Sequence, residues 1–316
     1  MKKTDLYLSV VIPVYNEQEN LNNLFERLTK TCDALQKSYE IILVNDGSKD
    51  RSYDILNELY EKRPDVMRII HFNGNFGQHM AVMAGFEHSK GDVIVTLDAD
   101  LQNPPEEIPK LLDAIEKGHD SVGGVRLLRQ DSWFRRNASK LNNKIRHLLT
   151  GIRMTDQGSM LRAYKRRVVD LMLQSAERSA FIPALAYTLS SNPTEVNVEH
   201  SDRAGGESKY NLYKLLRLNF DLMTGFSLIP LQVFTLVGIV VSMASFLFVI
   251  YMFLRRIFVG PEAEGMFTLF AILYLLIGIL LMGVGIMGEY IGRIHLNCRP
   301  RPKYIIQEIK EQHGKH

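Results

Sequence analysis

Cysteine is nearly absent from this chain: Cys32 and Cys298 are the only two in 316 residues. Their separation excludes a metal knuckle, and a pair this sparse is no disulfide framework. Two reduced thiols in a cytosolic compartment are expected. A charge excess of either sign is missing too. Lys and Arg number 38 against 35 Asp and Glu, a net charge of +3, so the totals carry no polyanion signal and no nucleic acid partner is expected. No G-x-G-x-x-G follows the first strand-like run, which disfavours a Rossmann dinucleotide site. No G-x-x-x-x-G-K-[ST] occurs, which excludes a P-loop. The opening MKKTDLYLSVVIPVY lacks an apolar core with a cleavage site, so no signal peptide is expected. Internal repeats and low-complexity segments are absent as well.

What is present begins with short apolar runs. Residues 8–14 (LSVVIPV), 39–44 (YEIILV), 67–72 and 92–97 (DVIVTL) read as buried strands, and 120–125 as a further short one. Helical patterns fall between them at about 19–38, 51–63, 77–88 and, opened by Pro104-Pro105-Glu106-Glu107, to about Lys117. Ser48 or Asp50 is expected to cap the second helix. Strands alternating with helices imply a parallel, doubly wound sheet.

Ligands of such sheets bind outside the carboxyl ends of the strands. Tyr15-Asn16-Glu17, Asn45-Asp46-Gly47 and Asp98-Ala99-Asp100 each directly follow an apolar run, which puts three acidic clusters on one rim. Asp98 and Asp100 alternate on an extended segment. Such a pair bridges a hard divalent cation to a nucleotide, because Mg2+ or Mn2+ prefers carboxylate and phosphate oxygens and keeps several waters. The cation would neutralise the charge growing on a departing diphosphate. Gln102, two residues on, would add an amide oxygen. Asp46 would accept a hydrogen bond from a base N–H; the alternative is an Asx-turn opening the next helix. Glu17 also reads as an acid at a helix N-terminus.

Residues 126–147 are basic and amphipathic: Arg126, Arg129, Arg135, Arg136, Lys140, Lys144 and Arg146 interleave with Trp133, Phe134, Leu141 and Ile145. This reads as a helix lying on an anionic bilayer face, its arginines holding a lipid phosphate through forked hydrogen bonds. Residues 203–210 (RAGGESKY) read either as a loop closing over a diphosphate, with Arg203, Ser208 and Lys209 as donors, or as a plain linker.

Residues 226–254 and 266–288 hold no charged side chain. After Pro230, spans of about 231–254 and 266–288 would each cross a hydrocarbon core of about 30 Å at about 1.5 Å per residue. The short link with Gly260-Pro261 makes them a hairpin. Lys209, Lys214 and Arg217 precede it, and Arg293, Arg299, Arg301 and Lys303 follow it, against Arg255 and Arg256 in the link. The positive-inside rule places both ends of the chain in the cytoplasm. Gly278, Gly283, Gly285, Gly288 and Gly292 read as close helix packing or as lipid-facing.

These clusters resemble the family-2 glycosyltransferases of GT-A fold, through VVIPVYNEQENL (10–21), VNDGSKDRS (44–52), TLDADLQNPPEEIP (96–109) and GESKY (206–210). The resemblance covers nearly the whole chain and is nearest to the branch that loads polyprenyl phosphates. Within it, NGNFGQHMAVMAGF (73–86), RQDSWFRR (129–136), MLRAYKRRVVD (160–170), ERSAFIP (177–183) and GEYIGRI (288–294) resemble the subfamily whose sugar is 4-deoxy-4-formamido-L-arabinose. The implied fold is α/β, a GT-A type doubly wound, mostly parallel sheet followed by interfacial helices and a two-helix transmembrane hairpin. The implied layout is a catalytic domain over 1–205, a loop and juxtamembrane helix over 206–225, two membrane helices within 226–290 and a cytoplasmic tail over 291–316. The implied activity is inverting transfer from a UDP-sugar to undecaprenyl phosphate, at the bacterial inner membrane, for lipid A modification and polymyxin resistance. A homotetramer is implied with it.

The resemblance also implies roles. Pro13, Tyr15, Glu17 and Asp46 would hold the uridine, and Asp98 would contact the nucleotide. Asp100 and Gln102 would ligate Mg2+ or Mn2+. Arg126 and Arg135 would bind the acceptor phosphate; Arg203, Ser208 and Lys209 would sense the donor diphosphate. Asp156 and Arg162 are the candidates for the sugar pocket, in the segment 155–164. Asp156 stands with Asp100, Arg126 and Arg135 among the catalytic candidates, although an acceptor phosphate ionised at pH 7 needs no strong base. Asn45 stands where the paired-acid form of the second motif, D-D-G-S, has Asp. Glucose or mannose as the sugar, and a non-catalytic scaffold or nucleotide sensor of the same fold, are the alternatives. A processive polysaccharide synthase is disfavoured: its Q-x-x-R-W is missing, and Trp133 is the single tryptophan.

Overall fold

The computed structural model describes residues 6–126, 159–175, 181–199, 229–258, 260, 266–298 and 302–312. The chain divides into two compact units: Met1–His147 with Ile152–Lys209 and Pro300–His316, and Tyr210–Arg299 with Leu148–Gly151.

In the first unit the elements run β1 (Leu8–Val14), α1 (Leu21–Ala34), β2 (Tyr39–Asn45), α2 (Ser52–Lys62), β3 (Met67–Phe72), α3 (Gln78–His88), β4 (Val93–Thr96), a 3-10 turn (Pro105–Glu107) and α4 (Ile108–Glu116). There follow β5 (Ser121–Arg126), β6 (Arg162–Lys165), α5 (Arg166–Gln174), α6 (Ile182–Leu189), β7 (Pro193–Val198) and β8 (Ile306–Lys310). They form one eight-stranded sheet, ordered β7-β5-β6-β4-β1-β2-β3-β8. The ladders β1–β2, β1–β4, β2–β3 and β5–β7 are parallel; β3–β8, β4–β6 and β5–β6 are antiparallel. The sheet is mostly parallel, as expected, with β6 antiparallel to β4 and β5 and β8 antiparallel to β3.

Alternation along each central strand feeds two cores. Val10, Ile12, Ile41, Leu43 and Ile69 pack with α1, α2 and α4. Val11, Ile42, Val44 and Ile70 pack with α3, α5 and α6. Burial on both faces is why these strands read as continuous apolar runs. Cys32 sits in the first core, and burial pushes its thiol up to about 12, so it is inert packing rather than chemistry. The second helix opens at Arg51 without a side-chain cap bond, so neither Ser48 nor Asp50 is its cap; Asp50, one residue before, accepts the Ser52 amide on Oδ1 at 3.0 Å. Within the C-terminal tail, Ile306–Lys310 adds an antiparallel edge strand to this sheet. Tyr304 stacks on Phe72 at 5.0 Å, and Tyr53 donates to Glu308 Oε2 at 3.0 Å.

The second unit carries α7 (Ile229–Phe258) and α8 (Met266–Cys298), both longer than the expected spans. Phe234 packs on Gly283, where a Cβ would lie 2.1 Å from the ring; Gly278, Gly285, Gly288 and Gly292 meet nothing within 4 Å. Among the described residues, Gly283 is thus the one of the five glycines at a helix contact. Leu236, Phe246, Leu280 and Leu281 face outward, each more than 60% exposed. Among the described residues one helix, at Ile272–Gly292, is long and apolar enough to cross a membrane; Phe234–Phe248 is a shorter apolar stretch.

Candidate active site

β1 lies between β2 on one side and β4 on the other, so the chain order reverses there. That is the topological switch point, where a crevice opens beyond the strand ends. Pro13 fits this position. The β1–β4 ladder runs only to Val11 opposite Thr96, and Pro13 follows where the ladder requires no N–H donor from it.

Beyond the strand ends the first two loops are laced together. Asn16, in the left-handed region at φ 56°, donates its amide to Ser48 Oγ at 3.0 Å and accepts the Lys49 amide on Oδ1 at 2.8 Å. The Glu17 amide reaches Ser52 Oγ at 3.0 Å, and Gln18 exchanges bonds with Asp50 and Arg51. Glu17 Oε2 accepts from Asn20 at 2.7 Å, at the start of α1. Tyr15 stands 43% exposed at the mouth.

Asp46 is 3% exposed. Its two carboxylate oxygens accept the amides of Phe76 and Gly77, at 2.7 and 2.9 Å. Burial raises its carboxyl above the usual range, and the two amides pull it back. Asp46 thus makes no Asx-turn; it ties the β2–α2 loop to the β3–α3 loop. Gly47 makes the approach possible: at φ 66°, a Cβ there would stand 2.4 Å from the Gly74 backbone. The third loop in turn meets the fourth strand, where Gln78 Nε2 donates to Asp98 Oδ1 at 2.7 Å.

The segment after β4 is tightly shaped. Asp100 Oδ1 accepts the Gln102 amide at 3.1 Å, and Leu101 between them has φ 60°. A bulky residue there stores strain of about 1–3 kcal/mol. Its apolar side chain, packed on the first core, holds the turn. Asn103 is 3% exposed, with a buried Oδ1 that has no partner among the described residues. Among the described residues, no three His, Cys, Asp or Glu side chains converge. The donor set is two carboxylates with amide oxygens, which fits Mg2+ or Mn2+ completing its shell with phosphate and water rather than a site of soft ligands.

Arg126 ends β5, on the same rim. Arg162, 4% exposed on β6, lies over Gly123 and lines a cavity of about 170 Å³ with Ser121, Tyr187 and Glu195. Arg135, Asp156, Arg203, Ser208 and Lys209 lie outside the described residues, as does nearly all of the basic stretch 126–147. The structure brings Tyr15, Glu17, Asp46, Asp98, Asp100 and Gln102 to one rim. Sequence reasoning missed the bracing partners, Ser48, Ser52, Phe76, Gly77 and Gln78. The polar, glycine-containing run NGNFGQ after the third strand was the available signal.

Residues 9–172 match the family Glycosyl transferase family 2. The undecaprenyl-phosphate 4-deoxy-4-formamido-L-arabinose transferase of Edwardsiella ictaluri is 50% identical over 309 residues, 97% of this chain and 95% of the relative. Its namesake from Aeromonas hydrophila is 49% identical over 312 residues, covering 98% and 96%. Among solved structures, glucosyl-3-phosphoglycerate synthase from Mycobacterium tuberculosis, in complex with Mn2+ and UDP-glucose, aligns at TM-score 0.49 and 17% identity, over 69% of this chain and 77% of its own.

Proposed function

We infer the function of this chain from its family: it belongs to glycosyl transferase family 2, and it moves 4-deoxy-4-formamido-L-arabinose from UDP to undecaprenyl phosphate. The observation that carries the sugar and the acceptor is identity of about half along nearly the full length of both partners. The rim supports the chemistry. Tyr15, Glu17 and Asp46 would hold the uridine, on loops braced by their own hydrogen bonds. Pre-formed loops lower the ordering cost of binding.

Asp98 would contact the nucleotide, and Asp100 and Gln102 would hold Mg2+ or Mn2+, which would stabilise the charge on the leaving diphosphate. Arg126 and Arg135 would bind the acceptor phosphate; Arg203, Ser208 and Lys209 would close on the donor. The acceptor oxygen is already ionised at pH 7, so catalysis rests on in-line placement and on cations between two anions. No general base is required of Asp156, which stays with Arg162 as a candidate of the sugar pocket. The apolar faces of α7 and α8 would lie in the bacterial inner membrane as a two-pass anchor, with both chain ends and the catalytic unit cytoplasmic. Lipid A modification, polymyxin resistance and a homotetramer belong to the same reading.

The test is mass spectrometry of the lipid formed by the purified full chain from undecaprenyl phosphate and a panel of UDP-sugars. The expected product carries the formamido-pentose. Preference for glucose or mannose overturns the sugar, and transfer from no donor overturns the activity.

A further inference from the structure

Beneath the second loop lies a buried polar pair that the transfer chemistry does not use. Asn45 and His71 are opposite each other in the β2–β3 ladder, 3% and 1% exposed. Asn45 Oδ1 accepts the Ser48 amide at 3.1 Å, which turns its Nδ2 toward His71 Nδ1, 3.2 Å away. A donor faces that ring nitrogen, so Nδ1 must accept, and the ring proton sits on Nε2. Nε2 then donates to Asn57 Oδ1 of α2, 3.4 Å away. The three contacts agree on one arrangement. A second proton on Nδ1 would meet the amide N–H head on.

We propose that Asn45 and His71 are a positioning pair for nucleotide binding: the Asn45 amide fixes His71 as a neutral, Nε2-protonated ring, and the ring holds Asn45 so that Ser48 stays in register. The inference rests on the uridine reading of this rim, because Ser48 Oγ in turn holds the Asn16 amide, and Asp46 is the next residue along. Burial also disfavours the charged ring and draws it down to about 4. The charged and titratable groups facing His71 are Glu308 and Lys310 of β8, which oppose each other, and Tyr53 of α2, whose ring lies 4.2 Å away. The pair also gives a physical reason for Asn45. A carboxylate at that position would demand a proton from Nδ1 and draw charge onto a ring that now carries none.

The consequence is an Asn45→Asp variant that titrates where the unaltered chain does not. At low pH a charged His71 would donate to both the introduced carboxylate and Asn57 and keep the geometry. As pH rises that proton is lost, leaving a buried carboxylate beside Asp46 with only a neutral ring to face, and anionic ligands bind less well. The experiment measures UDP affinity by calorimetry for the full chain in detergent, with the variant-to-unaltered ratio taken at each pH so that titration of UDP cancels. The ratio should stay within about threefold at pH 6 and show the variant at least about tenfold weaker at pH 8.5. Asn45→Asp combined with His71→Gln should give a pH-independent ratio.

Nitrogen NMR of the ring, assigned by loss of the signal in His71→Gln, should show a neutral, Nε2-protonated imidazole from pH 6 to 8.5 in the unaltered chain. A ring protonated on Nδ1, a ring titrating in that interval, or a flat ratio for Asn45→Asp overturns the proposal. If Asn45→Asp fails to fold, the ring's state still decides. No UDP binding by the unaltered chain at any pH overturns the uridine reading itself, separately from the ring's state.

Discussion

At the amino rim of the sheet, polar groups close on one another. Glu40, 8% exposed, accepts from Ser9 Oγ at 2.7 Å and from the Lys90 amide at 2.6 Å, with Arg68 3.7 Å away. Arg166 caps the Gly91 carbonyl and Ser89 Oγ. At the carboxyl rim, polar side chains again hold loop backbone: Ser48, Ser52, Asp50 and Asp46 all accept from amides of neighbouring loops. The same chemistry serves opposite ends. One rim seals the ends of strands, and the other sets the shape of four loops, three of which carry acids. Side chains at the first rim should matter to stability alone, and those at the second to binding and turnover.

The largest expected effect breaks this symmetry outright. Asp100→Ala should reduce transfer about 10³-fold, since a metal-held leaving group is worth several kcal/mol, while the melting temperature moves little. EDTA should reproduce the loss, and added Mg2+ or Mn2+ should reverse it. Full activity in chelator would remove the metal from this rim. Next comes Gly47→Ala, where φ 66° and a backbone 2.4 Å from the new Cβ leave no room. The loop must move, so UDP affinity should fall about 10–100-fold and stability by about 2–4 kcal/mol, read by calorimetry and thermal melting. Unaltered UDP binding there would mean that the loops are not laced as described.

How much of this was legible follows from burial. β1 to β4 are buried on both faces, so their apolar runs announce them, and the acids that follow mark the rim. β6 is four residues, RAYK; β7, PTEVNV, is mostly half-buried; and β8, IQEIK, exposes alternate side chains. An interior strand of four residues and two edge strands with polar residues give no run to read. The rim position of Asp98 and Asp100 was legible because they directly follow the apolar run of β4. The bracing was not, since its donors are the backbone amides of Phe76 and Gly77, which every residue but proline carries.

The smallest effect belongs to the amino rim. Glu40→Gln keeps the side chain's shape and one acceptor oxygen, so the bonds from Ser9 and Lys90 can persist, but it removes the charge facing Arg68. Burial makes this more than a surface pair, because Arg68 is itself 7% exposed, and Glu311, 2.8 Å from its Nε, would be left as its one carboxylate among the described residues. The loss should be about 1–3 kcal/mol of stability, with transfer per folded molecule unchanged within about twofold. The measurement is a denaturant melt set beside a turnover assay on the same preparation. A clear fall in turnover with stability intact would show that the two rims communicate through the strands, and the division of labour drawn between them would have to be abandoned.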